Sequence, residues 1–220
     1  MNLVLTPRLI NVVSCIKGKK IADIGTDHAY APLYLVSEGI CEKAIASDVK
    51  IGPVEIARAN IAKYNLSDKI EVRMGSGLSV LSPGETDDII IAGMGGELII
   101  EIIKADEDVA RSSRLILQPM NSQYELRHFL IENNFEIEFE YISVEGFKVY
   151  NLIVAKSGKG EPFDKDIDYH LPPYLKDNKN YKALYDKKKR EFTKVIEGIE
   201  NSKEPNMNKL KIYKDWLTDM

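Results

Sequence analysis

The architecture of this chain is indicated by one segment, Lys20-Ile21-Ala22-Asp23-Ile24-Gly25-Thr26-Asp27-His28-Ala29-Tyr30. It predicts a short buried strand that stops at Asp23 and turns on Gly25 into a helix. A second predicted strand, residues 43–47, is followed by Asp48. In an open α/β sheet, a glycine turn lets a ligand approach the backbone, and an acid after the second strand accepts hydrogen bonds from ribose hydroxyls. The segment therefore predicts a site for an adenosine-containing ligand.

The charge of this turn indicates which adenosine-containing ligand it suits. A dinucleotide site has three glycines spaced G-x-G-x-x-G and places a pyrophosphate against a helix N-terminus. Gly25 is the only glycine of this turn, and Asp27 would repel a pyrophosphate. S-adenosylmethionine carries a sulfonium and an ammonium group, so the acidic turn favours it over NAD as the cofactor. No metal is expected, because the three histidines share no spacing with the two cysteines.

The composition is that of a soluble globular protein. The 220 residues are 44% hydrophobic and carry a net charge of -4, so no global basic field indicates nucleic acid. Two cysteines make no disulfide framework and are typical of a reducing compartment. No apolar run reaches the roughly 18 residues that a membrane span needs. We therefore expect a cytoplasmic protein with no membrane partner.

Strands and helices alternate over residues 1–157. The predicted strands are 20–24, 43–47, 69–74, 88–92 and 114–118, and the predicted helices are 2–16, 31–38, 52–64, 95–105 and 121–133. Alternation of this kind implies a parallel sheet covered on both faces. Two further strands, roughly 135–144 and 147–155, follow without an intervening helix and predict a β-hairpin. This is the α/β layout of class I, Rossmann-like methyltransferases that use S-adenosylmethionine.

The rest of the chain, residues 158–220, is predicted to be a separate linker and helical domain. Apolar residues at helical spacing on either side of a break at 201–206 predict an antiparallel, coiled-coil-like helical hairpin. This tail carries a slight excess of basic residues, unlike the acidic body. Its cationic run, Lys187-Lys188-Lys189-Arg190, is predicted to bind RNA phosphates. A solvated helical surface or a dimerising hairpin is the alternative, and we expect a monomer or a weak dimer.

Three further strand ends are candidate site loops. Gly75-Ser76-Gly77-Leu78 follows the third strand, where many methyltransferases bind the adenine of the cofactor, although a simple glycine turn is equally consistent. Ile91-Ala92-Gly93-Met94-Gly95-Gly96 leaves the backbone bare for a ligand after the fourth strand. Gln118-Pro119-Met120-Asn121 ends the fifth strand, where an amide could read a base edge or cap the next helix.

Four of these segments together resemble the bacterial tRNA (adenine-N1)-methyltransferases that modify adenine 22 of tRNA, the TrmK family. They are Ala22–Tyr30, Ala46–Val49 with Gly52-Pro53, Ile91–Gly96, and Leu117–Pro119, and the helical tail matches the same architecture. The resemblance implies S-adenosylmethionine as cofactor, tRNA as substrate and adenine N1 as the methyl acceptor. Ser76 is a departure from the acid that this family tends to carry.

The expected cofactor site collects the ends of the first four strands. It consists of Asp23, Gly25, Thr26, Asp27, His28, Ala29, Asp48, Val49, Gly75, Ser76, Gly77, Leu78, Ala92, Gly93 and Met94. Adenine N1 is unprotonated near neutral pH, so catalysis should rest on positioning and on a carboxylate near the developing cation. The candidate catalytic residues are Asp27, His28, Met94, Gln118 and Asn121. A small-molecule methyltransferase, or a non-catalytic module that binds RNA or adenosine, is the alternative function.

Overall fold

The computed structural model describes residues 3–220, which form one seven-stranded sheet covered by helices. The strands are β1 Lys20–Ile24, β2 Lys43–Asp48, β3 Ile70–Met74, β4 Asp88–Met94, β5 Arg114–Pro119, β6 Phe135–Glu145 and β7 Lys148–Ser157. Their order across the sheet is β3-β2-β1-β4-β5-β7-β6. Strands β1 to β5 are parallel to one another, whereas β7 runs antiparallel to β5 and β6. The predicted parallel sheet with a terminal antiparallel hairpin is confirmed.

Within residues 3–220, eight α-helices accompany these strands. They are α1 Pro7–Ser14, α2 Tyr30–Ser37, α3 Ile51–Lys63, α4 Gly96–Ala105, α5 Glu107–Arg111, α6 Gln123–Glu132, α7 Tyr181–Glu200 and α8 Met207–Asp219. The predicted helix 2–16 is too long, because Thr6 caps α1 by accepting a hydrogen bond from the Leu9 N–H. Residues 1 and 2, which begin the predicted first domain and that helix, lie outside the described residues. The short helix α5 was not predicted, because one turn is too short to show a period.

The sheet has a hydrophobic core on each face. Ile21, Ile90 and Ile116 pack on the face covered by α1 to α3, and their neighbours along the strands pack under α4 to α6. Uninterrupted apolar runs such as residues 89–91 are typical of a parallel strand buried on both faces. Each fully buried isoleucine contributes roughly 1.5–3 kcal/mol to stability. This core fixes the carboxyl ends of β1 to β5 along one edge.

The tail forms the predicted antiparallel helix pair, α7 and α8, but its linker is not an open connector. Residues 166–169 and 173–175 form 3-10 turns, and Ile167 and Leu171 are buried. A third apolar cluster joins this segment and α7 to the β6–β7 hairpin through Ile142 and Val149. The apolar surface of the tail therefore covers the sheet as well as pairing its own two helices. The division into domains 1–157 and 158–220 stays a prediction.

A buried polar network also crosses that predicted boundary. The Arg127 guanidinium, which is fully buried, donates to both carboxylate oxygens of Glu140 at 2.8 and 2.7 Å and to the Tyr169 carbonyl at 2.7 Å. The Tyr174 hydroxyl donates to the same carboxylate at 2.6 Å. Removing one partner of such a buried pair leaves an uncompensated charge and costs about 3–5 kcal/mol. The network fixes the tail segment against α6 and β6.

Candidate active site

The turn after β1 is held against the end of β2 by backbone hydrogen bonds. Gly25 N–H and Thr26 N–H both donate to the Ser47 carbonyl, each at 2.8 Å. Gly25 has a φ of +76°, and a Cβ added there would lie 2.0 Å from the Met94 Cε. The positive φ favours glycine at this position, and the Met94 side chain would have to move to admit a Cβ. The Thr26 hydroxyl then accepts a hydrogen bond from the Ala29 N–H at 3.1 Å, immediately before α2.

Two carboxylates lie beside this turn. Burial raises the pKa of Asp23 to about 6, the nearby Asp48 carboxylate adds to that rise, and a hydrogen bond with Thr26 opposes it. One oxygen of Asp48 accepts the Lys50 N–H at 2.7 Å, which orients the side chain and leaves its other oxygen for a ligand. A cationic ligand would stabilise the charged form of Asp23. The arrangement therefore suits an ammonium or sulfonium group near Asp23 and ribose hydroxyls near Asp48.

Asp27 and His28 form an exposed pair at the mouth of the site. The Asp27 carboxylate lies 2.9 Å from His28 Nδ1, and its side chain is 74% exposed. The His28 ring stacks on Tyr30 with a centroid separation of 5.1 Å and an interplanar angle of 6°. Asn60 Nδ2 donates to the His28 carbonyl at 3.0 Å and fixes the backbone here. Tyr30 was not among the predicted site residues, although it ends the same segment.

The loop after β3 meets the end of β2. Gly75 N–H donates to the Asp48 carbonyl at 3.1 Å, and a Cβ on Gly75 would lie 2.4 Å from Val80 Cγ1. Ser76 is exposed, whereas Leu78 is fully buried in the core under α4. The Leu78 side chain therefore belongs to the core, and the predicted contact of this residue with the cofactor stays a prediction for its backbone. Val49 is 62% exposed at the same edge, where a flat adenine ring could cover it.

The end of β4 contains a bulge, and the Met94 side chain there points towards the turn after β1. The register between β4 and β5 shifts between Ala92 and Met94, and the Met120 N–H donates to the Met94 carbonyl at 2.8 Å. Bulges of this kind redirect a side chain next to a functional site. Gly93 adopts a φ of +80° within the bulge. The Met94 methyl group then occupies the space above the turn after β1.

Gln118 and Asn121 have partners that the sequence did not reveal. Gln118 is 1% exposed, and its Oε1 accepts a hydrogen bond from Arg8 Nη1 at 2.7 Å. Asn121 Oδ1 accepts the Gly96 N–H at 3.2 Å, so it caps α4 and not α6 as the alternative reading held. Arg8 was missed as a site residue, because nothing near it in the sequence shows that α1 reaches the end of β5.

The predicted cationic run on α7 is not a row of four exposed charges. Lys188 is 8% exposed, and its Nζ lies 2.9 Å from the Glu191 carboxylate. Lys187 Nζ lies 3.3 Å from the Val149 carbonyl, and burial lowers its pKa. The helical period turns Lys187 towards β7 and buries Lys188, and it leaves Lys189 and Arg190 exposed. The prediction that all four bind phosphate is therefore corrected to these last two.

The structure thus brings the predicted strand-end residues together at one edge of the sheet. A cavity of about 460 Å³ lies elsewhere, at the amino ends of β1 and β2, and is separate from this site. Across residues 3–220, no group of three or more histidine, cysteine or acidic side chains could hold a metal ion. Within the same range, no helix has the length and apolar character that crossing a membrane requires.

Comparison with known proteins identifies the family to which this site belongs. Residues 5–153 match the family model described as a methyltransferase domain. The chain is 34% identical to the tRNA (adenine(22)-N(1))-methyltransferase of Bacillus subtilis over an alignment of 223 residues, which covers 96% of this chain and 92% of the relative. The chain belongs to the tRNA (adenine(22)-N(1))-methyltransferase family.

Solved structures in the tRNA (adenine(22)-N(1))-methyltransferase family match both the sheet and the tail. Streptococcus pneumoniae Sp1610, in complex with S-adenosyl-L-methionine, superposes with a TM-score of 0.84 at 30% identity, over 97% of this chain and 100% of that one. TrmK of M. capricolum, in complex with S-adenosyl-homocysteine, superposes with a TM-score of 0.83 at 27% identity, over 97% of this chain and 95% of that one. The resemblance seen in the sequence motifs is confirmed.

Proposed function

We propose that this chain transfers the methyl group of S-adenosylmethionine to N1 of adenine 22 in tRNA. The observation that carries this proposal is the match to the Bacillus subtilis tRNA (adenine(22)-N(1))-methyltransferase, which covers 96% of this chain and so includes both the site and the helical tail. No feature of the site favours a small-molecule methyltransferase or a non-catalytic module.

The residues at the sheet edge fit the cofactor. Asp48 would accept the ribose hydroxyls and Asp23 the methionine ammonium, while the open backbone at Gly25 lets the ligand lie against the turn. The loop 75–77 and Val49 would hold the adenine, with Ser76 in place of an acid. The Met94 methyl group lies close over Gly25, so its side chain would turn away if the cofactor lies against this turn. The cofactor supplies the electrophilic methyl group.

Catalysis by this chain would rest on geometry and charge. The adenine N1 lone pair is free near neutral pH, so alignment with the methyl group can supply roughly 7–11 kcal/mol without a base. The base becomes cationic as the methyl group is transferred, and a carboxylate nearby stabilises that charge. Asp27 is our candidate, since its carboxylate reaches the mouth of the site and is oriented by His28. Arg8 holds Gln118 in place as one wall of the base pocket.

The RNA would extend from this edge to the tail. Lys187 contacts the start of β7, so the middle of α7 lies near the same edge as the site. The exposed Lys189 and Arg190 would bind phosphates there. We further propose that the protein acts in the cytoplasm, as a monomer or a weak dimer.

The test uses the purified full chain, labelled S-adenosylmethionine and unmodified tRNA. We expect 1-methyladenosine among the digested nucleosides and a reverse-transcription stop that maps to position 22. A tRNA carrying guanine at that position is the matched control and should accept no methyl group. Cofactor binding without methylation of any tRNA, or methylation at another position, would contradict the proposal.

A further inference from the structure

The turn of the β6–β7 hairpin stands at the same edge of the sheet as the candidate site. Because β7 runs antiparallel to β5, with Leu117 opposite Ile153, the start of β7 lies beside the carboxyl end of β5. The hairpin turn, residues 145–148, is therefore next to the loop that carries the proposed base pocket. Gly146 makes this turn with a φ of +57°.

Arg8 joins the hairpin turn to the base pocket. Its backbone N–H donates to the Glu145 carboxylate, and its guanidinium donates to Gln118 Oε1 at 2.7 Å. The same guanidinium lies 5.9 Å from the centroid of the Tyr150 ring, and a Cβ on Gly93 would be 3.7 Å from its Nη1. The turn is thus held at a fixed place on the rim of the site.

Phe147 projects from this turn into solvent. Its relative exposure is 105%, the highest among the exposed large apolar side chains of the described chain. Lys148 beside it is also exposed and carries positive charge. An aromatic ring that is fully exposed, carried on a turn that Arg8 anchors and next to a cation matches the chemistry of nucleic-acid binding, in which bases stack on aromatic rings and phosphates pair with lysine.

We infer that Phe147 is a positioning residue that stacks on the RNA bases beside the target and fills the gap left when adenine 22 is turned out. This inference rests on the proposed function. An adenine inside a helix has its N1 covered, so the enzyme must extrude the base before methyl transfer. Apolar side chains inserted between bases offset the cost of unstacking in other complexes. Phe147 touches neither cofactor nor reacting atoms.

The test compares Phe147→Ala, Phe147→Trp and the control Ile40→Ala in the full chain. Ile40 is a partly exposed apolar residue in the loop before β2, at the opposite edge of the sheet. Under single turnover with tRNA, Phe147→Ala should lose at least about fivefold in rate, the lower bound for one base–aromatic stack. Phe147→Trp and Ile40→Ala should keep the original rate, and calorimetry should show unchanged cofactor affinity in all three.

A second substrate distinguishes a residue that fills the gap left by the extruded adenine, here called a wedge, from one that only contributes to the RNA-binding surface. On a tRNA whose adenine 22 has no pairing partner, extrusion costs less, so the loss caused by Phe147→Ala should shrink. Equal losses on both tRNAs, or no loss on either, would overturn the wedge role.

A fluorescence measurement is independent of methyl transfer. With 2-aminopurine at position 22 and S-adenosylhomocysteine present, the original protein should raise the emission and Phe147→Ala should not. Equal emission with both proteins, or none with either, overturns the inference. Failure of the proposed function is seen separately, as the absence of 1-methyladenosine at position 22 with the original protein.

Discussion

Replacing Gly25 with alanine tests whether the turn after β1 must have an open backbone. At a φ of +76°, alanine costs about 1–2 kcal/mol more than glycine. The new methyl group would lie 2.0 Å from Met94 Cε. That atom ends a flexible side chain, so the collision costs only the rotation of the thioether, about 0.5–1.5 kcal/mol. We expect the free energy of unfolding to fall by about 1.5–3.5 kcal/mol in total, measured by urea denaturation.

Two further variants divide this loss into its parts. Gly39 has a φ of +69° and no atom within 4 Å of an added Cβ, so Gly39→Ala should show only the backbone cost. In Gly25→Ala combined with Met94→Ala, the collision is absent, and a double-mutant cycle should return about 0.5–1.5 kcal/mol of coupling.

The cofactor affinity gives an independent readout. The added methyl group covers the backbone that the ligand approaches, so we expect Gly25→Ala to bind S-adenosylmethionine at least about tenfold more weakly with or without Met94, a loss of about 1.4 kcal/mol. Gly39→Ala should bind normally. Original stability and original affinity in Gly25→Ala would refute the reasoning that assigns this turn to the ligand.

Four other changes test the charges of the site and the tail. Asp48→Ala should weaken S-adenosylmethionine binding at least about tenfold in calorimetry, because charge-assisted hydrogen bonds contribute roughly 1.5–3 kcal/mol. Asp27→Ala should lower the single-turnover rate more than the cofactor affinity, because the positive charge on the base develops only in the transition state. Burial raises the pKa of Asp23 from 3.8 to about 6, so between these pH values the folded apoprotein retains a proton that the unfolded chain loses. The free energy of unfolding should therefore fall by at most about 3 kcal/mol as the pH rises from 4 to 6. Asp23→Asn should abolish that fall. Lys189→Gln with Arg190→Gln should flatten the salt dependence of tRNA binding by roughly 0.7–0.9 in log–log slope per lost phosphate contact.

Matched variants control these measurements. Asp68→Ala removes an exposed acid at the amino edge of the sheet and should leave cofactor affinity and rate unchanged. Lys182→Gln removes an exposed cation on α7 that already pairs with Asp186 at 2.9 Å, and it should leave the salt slope unchanged. A loss confined to affinity in Asp27→Ala would instead assign that carboxylate to the cofactor.

The parts of the molecule that were predictable are those whose signal is local. The segment 20–30 carries its own strand, turn and acids, and the structure places them as the pattern indicated. Strand alternation was equally visible, because the central strands carry runs of buried apolar residues, such as Ile89, Ile90 and Ile91 in β4. These features depend on backbone periodicity and on glycine, which act over a few residues.

The missed features depend on contacts between distant residues. The hydrogen bond between Arg8 and Gln118 joins residues 110 positions apart, and no pattern near Arg8 predicts it. The burial of Lys188 could not be predicted, because a run of four cations places one on every side of a helix. Which of them is buried depends on the element that packs against that side. The packing of the linker is hidden in the sequence for the same reason, since its apolar residues are spaced irregularly and find their partners on β6 and β7.

The buried Arg127–Glu140 pair fixes a distance within the molecule. Because this pair holds the segment before α7 against α6 and β6, the fold sets the distance between the exposed cations of α7 and the edge of the sheet that carries the candidate site. If tRNA binds both places, as proposed, it would be selected by its folded dimensions and not by its nucleotide sequence. Shortened or unfolded RNAs that carry the same nucleotides around adenine 22 would then be rejected on size alone.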